Sequence, residues 1–109
     1  MTFYKTTGTI KHNFLTDDLL QYFNKHFDTD IIDLTIYNYS KKNKSLYKLI
    51  AECNGQNIKQ TDTIIKNELC LDDSECEQIN NNNYVLIYKD LTYDTIVDWL
   101  CFFTSKTTI

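Results

Sequence analysis

The stretch Ile31–Cys53, IIDLTIYNYSKKNKSLYKLIAEC, contains two halves in which apolar and polar residues alternate. Alternation with a period of two and one polar face is typical of strands that are covered on one side. The residues expected on the covered face are Ile32, Leu34, Ile36, Tyr47, Leu49, Ala51 and Cys53. The six residues SKKNKS, 40–45, separate the two halves and contain three lysines. The stretch therefore predicts an antiparallel hairpin with a six-residue loop at its tip.

Helices and a strand are predicted around this hairpin. Threonine and aromatic residues favour a strand at Thr2–Ile10. Thr16 is a good N-cap and two aspartates follow it, so a first helix is expected from there to about Phe27. A second helix should begin near Thr61, after a turn at Asn54-Gly55.

The last third of the chain adds a strand and a helix. The spacing of Ser74 and Glu77 matches a capping box, which predicts a short helical turn. Tyr84–Tyr88 is apolar enough to be an interior strand. A final helix should follow Thr92, with the apolar stripe Ile96, Val97, Leu100 and Phe103.

These elements predict one α+β domain that spans residues 1–109. Their order is β-α-β-β-α-β-α, which gives an antiparallel sheet of about four strands packed by two to three helices. The first six elements match the split βαβ arrangement that is called ferredoxin-like.

Composition indicates the source of the gene rather than its function. The chain contains no proline or arginine, two glycines and one alanine, and it is rich in Asn, Lys, Ile and Tyr. AT-rich codons encode these four residue types, so the expected origin is a low-GC bacterial genome or, as we favour, an AT-rich phage, virus or mobile element of such a bacterium. No secretory signal or 18-residue apolar run is present, which predicts a cytoplasmic protein without a membrane span.

No catalytic or metal-binding pattern is found in the sequence. The cysteines Cys53, Cys70, Cys76 and Cys101 form no CxxC pair and, with His12 and His26, no zinc spacing. Reduced, structural thiols are expected, with Cys53 and Cys101 in apolar surroundings. Phosphate-binding glycine loops, HExxH and GxSxG are absent. We therefore expect a protein that is not an enzyme and needs no cofactor or metal.

Two groups of residues are candidates for binding. The first group lies on and beside the polar face of the hairpin, where packing explains the side chains least. The second is the most acidic segment of the chain. The candidates are Tyr37, Tyr39, Lys41, Lys42, Lys44 and Lys48 in the first group, and Asp72, Asp73, Glu75 and Glu77 in the second.

Small size, a net charge of −4 and the inferred origin favour a module that binds and inhibits a host protein. Anti-restriction proteins, anti-CRISPR proteins and uracil-glycosylase inhibitors are the analogues. Acidic groups could pair with the basic groove of a nucleic-acid-binding host protein. They are Asp28, Asp30, Asp33, Asp72, Asp73, Glu75, Glu77, Asp90, Asp94 and Asp98.

Two alternatives remain open. A homodimer could form through an apolar patch of Leu46, Ile50, Tyr37 and Tyr39 on the hairpin. RNA or single-stranded DNA could stack on the tyrosines. The acidic balance and the absence of arginine disfavour nucleic acid, because phosphate binding requires a basic patch.

Overall fold

The predicted hairpin forms the centre of an antiparallel sheet in the computed structural model, which describes residues 6–10 and 14–107 and the side chains of residues 16–101. The strands are β1 (Thr6–Ile10), β2 (Ile31–Lys41), β3 (Lys44–Asn54), β4 (Glu75–Gln78) and β5 (Asn83–Leu91). The helices are α1 (Phe14–His26), α2 (Ile58–Leu69) and α3 (Tyr93–Thr107), with a 3-10 turn at Gly55–Asn57. The order across the sheet is β1-β2-β3-β5-β4.

The α+β class, the antiparallel sheet and the three helices are confirmed. The order of elements along the chain is the expected one with β4 added, so the described residues form five strands. Across the sheet, β1 pairs directly and antiparallel with β2. The likeness to the ferredoxin-like arrangement therefore concerns the order of elements along the chain, since a split βαβ unit separates its two strands by a third.

The tip of the hairpin is tighter than predicted. Strand pairing continues to Lys41 opposite Lys44, so the loop contains only Lys42 and Asn43 instead of six residues. Both residues have positive φ, 50° and 64°. Two positive φ values are what a two-residue type I′ turn requires, and its twist matches that of the strands. The sequence Lys-Asn does not predict this turn, because lysine rarely adopts the left-handed backbone conformation that the turn requires.

All three helices pack on one face of the sheet, which we call the covered face. The buried cluster between the layers is Leu19, Phe23, Ile31, Leu34, Ile36, Leu49, Ala51, Cys53, Ile65, Leu69, Leu86, Tyr88, Leu91, Ile96 and Trp99. The predicted face of the hairpin is confirmed except at its start. An irregularity in pairing between Ile31 and Asp33 reverses the alternation, so Ile31 is buried and Ile32 is exposed.

The opposite face of the sheet, which we call the second face, carries no helix among residues 14–107. It is formed by Thr35, Tyr37, Tyr39, Leu46, Lys48, Ile50, Val85 and Ile87. Thr35, Tyr39, Lys48, Val85 and Ile87 are nevertheless at most 9% exposed. Packing therefore occurs on both faces of the sheet.

The predicted helical turn at Ser74–Glu77 is wrong, because Glu75–Gln78 forms β4 and pairs with β5. The asparagine run supplies the turn between these strands. The side chain of Asn80 accepts hydrogen bonds from the backbone N–H groups of Asn82 and Asn83, both at 2.9 Å. This local bonding closes a hairpin, and the pairing with β5 overrides the weak strand preference of the sequence ECEQ.

Other boundaries and faces also differ from prediction. The first helix begins at Phe14, so Thr16 lies inside it rather than at its N-cap, and the second helix begins at Ile58 rather than Thr61. In α3, Ile96 and Trp99 are buried while Leu100 is exposed, so the stripe is rotated toward the tryptophan. Trp99 belongs to the buried cluster on the covered face, and its indole N–H donates to the carbonyl of Leu69 at 3.4 Å.

Some predictions fall partly or wholly outside the described residues. These are the first four residues of the strand at Thr2–Ile10, the residue His12 and the side chain of Phe103. The buried position of Cys53 is confirmed, whereas Cys101, expected in apolar surroundings, is exposed.

Candidate functional site

An open groove of about 510 Å³ lies at the end of the sheet where β5 ends and β4 begins. The α2–β4 loop, residues 70–74, and Glu75 form one wall of the groove, and Ile87, residues 89–92 and Thr95 form the other. Lys41, the last residue of β2, reaches the groove from the hairpin. The groove thus brings together two segments that the sequence suggested separately.

Lys41 is held at the groove by a three-residue contact. Its ammonium group lies 3.2 Å from a carboxylate oxygen of Asp90. The Tyr39 hydroxyl donates to the other oxygen of Asp90 at 2.5 Å and accepts from the Asp90 backbone N–H at 2.7 Å. The hydrogen bond from Tyr39 is the main cause that lowers the pKa of Asp90 below its ordinary value, and Lys41 acts in the same direction. Asp90 is therefore negatively charged at neutral pH, and Tyr39 holds its side chain in place.

The groove as a whole carries more acid than base. Lys89 pairs with Glu75 at 2.8 Å. Asp72 and Asp73 line the groove and are exposed. In the part of the chain with described side chains, neither of these aspartates belongs to an ion pair. With four carboxylates and two ammonium groups, the groove favours a cationic group of a partner.

Two predicted binding residues are buried on the second face rather than exposed. Tyr39 is 0% exposed and Lys48 is 3% exposed. The Lys48 ammonium lies 5.7 Å from the ring centres of Tyr37 and Tyr39. Burial, and then the charge of Lys89, lower the pKa of Lys48. The expectation that packing leaves Tyr39 and Lys48 unexplained is therefore wrong: Tyr39 positions Asp90, and Lys48 packs against two rings.

The remaining predicted residues divide between the groove and other surfaces. Lys41, Asp72, Asp73 and Glu75 line the groove. Lys42 and Lys44 are exposed at the hairpin tip, and Tyr37 is half-buried on the second face. Glu77 lies further along β4 and is exposed.

Sequence reasoning missed the contribution of β5 to the groove. In the sequence Asp90 is one of ten candidate acids, and Lys89 is not among the candidates. Asp90 has a φ of 58°, and the pairing of β3 with β5 is irregular beside it. A polar Lys-Asp pair directly after the apolar run YVLIY was the available signal, since a strand that turns polar before a helix start marks the end of a sheet.

A second polar contact lies on the covered face and joins a helix to the sheet. The Tyr88 hydroxyl donates to Asp62 of α2 at 2.8 Å. Burial and the bond to Asp62 raise the pKa of Tyr88. Burial raises the pKa of the nearby Cys53 thiol to about 12. A thiol with that pKa is protonated at neutral pH and is a poor nucleophile.

No group of three or more His, Cys, Asp or Glu residues in the described part of the chain could hold a metal ion. None of the described helices is both long and apolar enough to cross a membrane. Comparisons of the chain with protein-family models, curated proteins and solved structures give no match.

Proposed function

We propose that this protein is a non-enzymatic module that binds a host protein and inhibits or modulates it, in the manner of anti-CRISPR and other anti-defence proteins. The abundance of residue types that AT-rich codons encode supports a phage, virus or mobile element as its source and the host cytoplasm as its place of action. The host protein we expect is one with a basic surface, such as a nucleic-acid-binding protein.

One observation carries the proposal. Lys41 from the hairpin and Asp72, Asp73 and Glu75 from the acidic segment line a single groove. The hydrogen bonds of Tyr39 fix the position of Asp90 in its wall, so that side chain is ordered before a partner arrives. Ordered acidic groups lose less conformational entropy on binding than mobile ones, and they attract a basic partner over a distance.

A capture experiment with matched variants tests the proposal. The affinity-tagged protein is incubated with a lysate of a low-GC bacterium, and the retained host protein is identified and titrated by calorimetry. Asp73→Lys reverses a charge inside the groove, while Asp98→Lys makes the same change at an exposed position of α3. We expect Asp73→Lys to weaken the complex at least about tenfold, because like charges in an interface repel. Asp98 is one of the ten acids considered for pairing with a host protein, but it does not line the groove, so Asp98→Lys should leave the affinity unchanged.

Three results would contradict the proposal. Equal loss of affinity in both charge-reversal variants would show that the groove is not the binding site. A dimer of constant mass that captures nothing would favour self-association, the first alternative. Retention on a nucleic-acid column that weakens with salt, without a host protein, would favour RNA or single-stranded DNA binding.

A further inference from the structure

We propose that β4 is a docking edge, on which an extended segment of the partner with alternating lysine or arginine residues adds as a sixth strand. This inference rests on the proposed function and names the chemistry of the partner. It is carried by the position of β4, by its side chains and by the adjoining groove.

The first observation is the position of β4 at the edge of the sheet. Its inner side pairs with β5 in regular register from Glu75 opposite Ile87 to Gln78 opposite Tyr84. No described strand pairs with its outer side. Backbone N–H and C=O groups of alternate residues point outward from an antiparallel edge, so they can accept a further strand. All four residues of β4 are exposed.

The second observation is the charge pattern along this edge. Residues two apart in a strand share a face, so Glu75 and Glu77 point the same way. By register this is the second face, because Glu75 lies opposite Ile87 and Glu77 opposite Val85. An added strand with cationic side chains at every second position places them beside the two carboxylates. Opposite charges directly across a strand pair stabilise it.

The same pattern disfavours a second copy of this chain as the occupant. Consider a two-fold antiparallel pairing of β4 strands that keeps both helix layers on one side of the joined sheet. Each such register that pairs two or more residues of β4 sets a glutamate opposite a glutamate, because Glu75 and Glu77 occupy one face of β4. Like charges directly opposite destabilise a strand pair, so the edge favours a basic segment over itself.

The third observation is that the groove begins where β4 begins. Glu75 belongs to both, and Asp72 and Asp73 come directly before it. A strand added to β4 and extended past Glu75 would bring its next cationic side chain to the two aspartates. Strand addition then supplies affinity through backbone hydrogen bonds, and the carboxylates supply selectivity.

Binding of a designed peptide tests this inference without a host protein. The probe is the fluorescein-labelled peptide GKVKVKG, and its affinity is measured by anisotropy at low salt. Two matched peptides carry N-methyl groups, one at the three lysines and the other at the two valines. All three have the same charge, but one methylated peptide has lost the N–H groups of the lysines and the other those of the valines, which lie on opposite edges of the strand.

We expect one methylated peptide to lose at least about tenfold in affinity and the other to bind like the parent, because a strand pairs through one edge. Amide exchange of β4 should slow when the parent peptide is added. Glu77→Lys should weaken the parent about threefold, as expected for an exposed pair, while Asp98→Lys leaves it unchanged.

Equal affinities for all three peptides would overturn strand addition. Protection of the β4 amides before any peptide is added, together with a dimeric mass, would identify a second copy as the occupant and also overturn it. Failure here differs from failure of the proposed function. If peptides do not bind but a host protein is captured through Asp73, the function stands and only the docking mode is wrong.

Discussion

Two fully buried tyrosines, one on each face of the sheet, donate hydrogen bonds from their hydroxyl groups to aspartates of other strands or helices. On the covered face, Tyr88 of β5 donates to Asp62 of α2 at 2.8 Å. On the second face, Tyr39 of β2 donates to Asp90 of β5 at 2.5 Å. Both tyrosines are 0% exposed. The chemistry of the two pairs is the same, but their surroundings differ.

The difference lies in what each aspartate adjoins. Asp62 lies on a helix, and Lys66 pairs with it at 3.1 Å over one helical turn. The side chain of Asp90 is 50% exposed and lies in the groove beside Lys41. The Tyr88 pair therefore attaches α2 to the sheet, whereas the Tyr39 pair positions a surface that a partner can reach. A similar pair of side chains stabilises the fold in one place and orders the candidate site in the other.

The largest expected effect comes from truncating the tyrosines. Tyr88→Ala should lower the free energy of unfolding by about 4 kcal/mol, because it leaves a cavity between helices and sheet. Tyr39→Ala should cost about 2 kcal/mol, since no described helix lies over the second face and the neighbours can collapse into the space. Urea titrations followed by circular dichroism measure both values. A larger loss for Tyr39→Ala would reverse the comparison.

The two pairs also show what the sequence could predict. Alternation placed the apolar face of the hairpin against helices, and Tyr84–Tyr88 was predicted as an interior strand; both predictions are confirmed. Local patterns suffice there because each residue's face follows from its neighbours. The partners of Tyr39 and Tyr88 could not be predicted, since Asp90 and Asp62 are far from them in sequence.

The candidate site was predicted only in its components. The acidic segment and the lysines of the hairpin stand out in the sequence as candidates, but nothing local shows that Lys41 and Asp73 line one groove. That proximity depends on β4, whose strand character comes from pairing with β5. The local capping-box spacing of Ser74 and Glu77 suggested the wrong structure. Long-range pairing overrode local preference at the position that matters most for the site.

Removing only the hydroxyl groups separates hydrogen bonding from packing. Tyr88→Phe should cost about 2 kcal/mol, because Asp62 loses a donor in a partly buried position. Tyr39→Phe should cost about 1 kcal/mol, since water can reach the exposed Asp90 in place of the hydroxyl. Differential scanning calorimetry on both variants checks the ranking. Equal losses would show that solvent access does not distinguish the pairs.

The pH dependence of stability sharpens the comparison further. Burial alone would raise the pKa of Asp62, but hydrogen bonds from Tyr88, Lys66 and Ser74 lower it below its ordinary value of 3.8. A carboxyl group with a lowered pKa in the folded state stabilises the fold above its unfolded pKa, and this contribution is lost as pH falls through the folded value.

We therefore expect the stability of the wild-type protein to fall below about pH 4 through this carboxyl group. Asp62→Asn should make the acid side of the curve less steep. The difference that it makes to the stability lost between pH 6 and pH 3 should be smaller than the cost of Tyr88→Phe at neutral pH. Urea midpoints from pH 6 to pH 3 measure the slope. If Asp62→Asn leaves the slope unchanged, the hydrogen bonds of Asp62 do not act on its charged form.

The smallest effect on stability is expected at the exposed end of the Tyr39 pair. Lys41→Ala removes the ion pair with Asp90, whose two side chains are 42% and 50% exposed. Exposed ion pairs contribute about 0–1 kcal/mol, so the loss should be below about 1 kcal/mol and should disappear in 1 M salt.

The same variant makes the groove more acidic, so the peptide GKVKVKG should bind more tightly at low salt. Lys42→Ala, at the exposed hairpin tip outside the groove, is the matched control and should bind the peptide as the wild type does. A large loss of stability in Lys41→Ala would show that the contact of Lys41, Asp90 and Tyr39 supports the fold. Equal affinities of Lys41→Ala and Lys42→Ala for the peptide would show that Lys41 does not act on the groove.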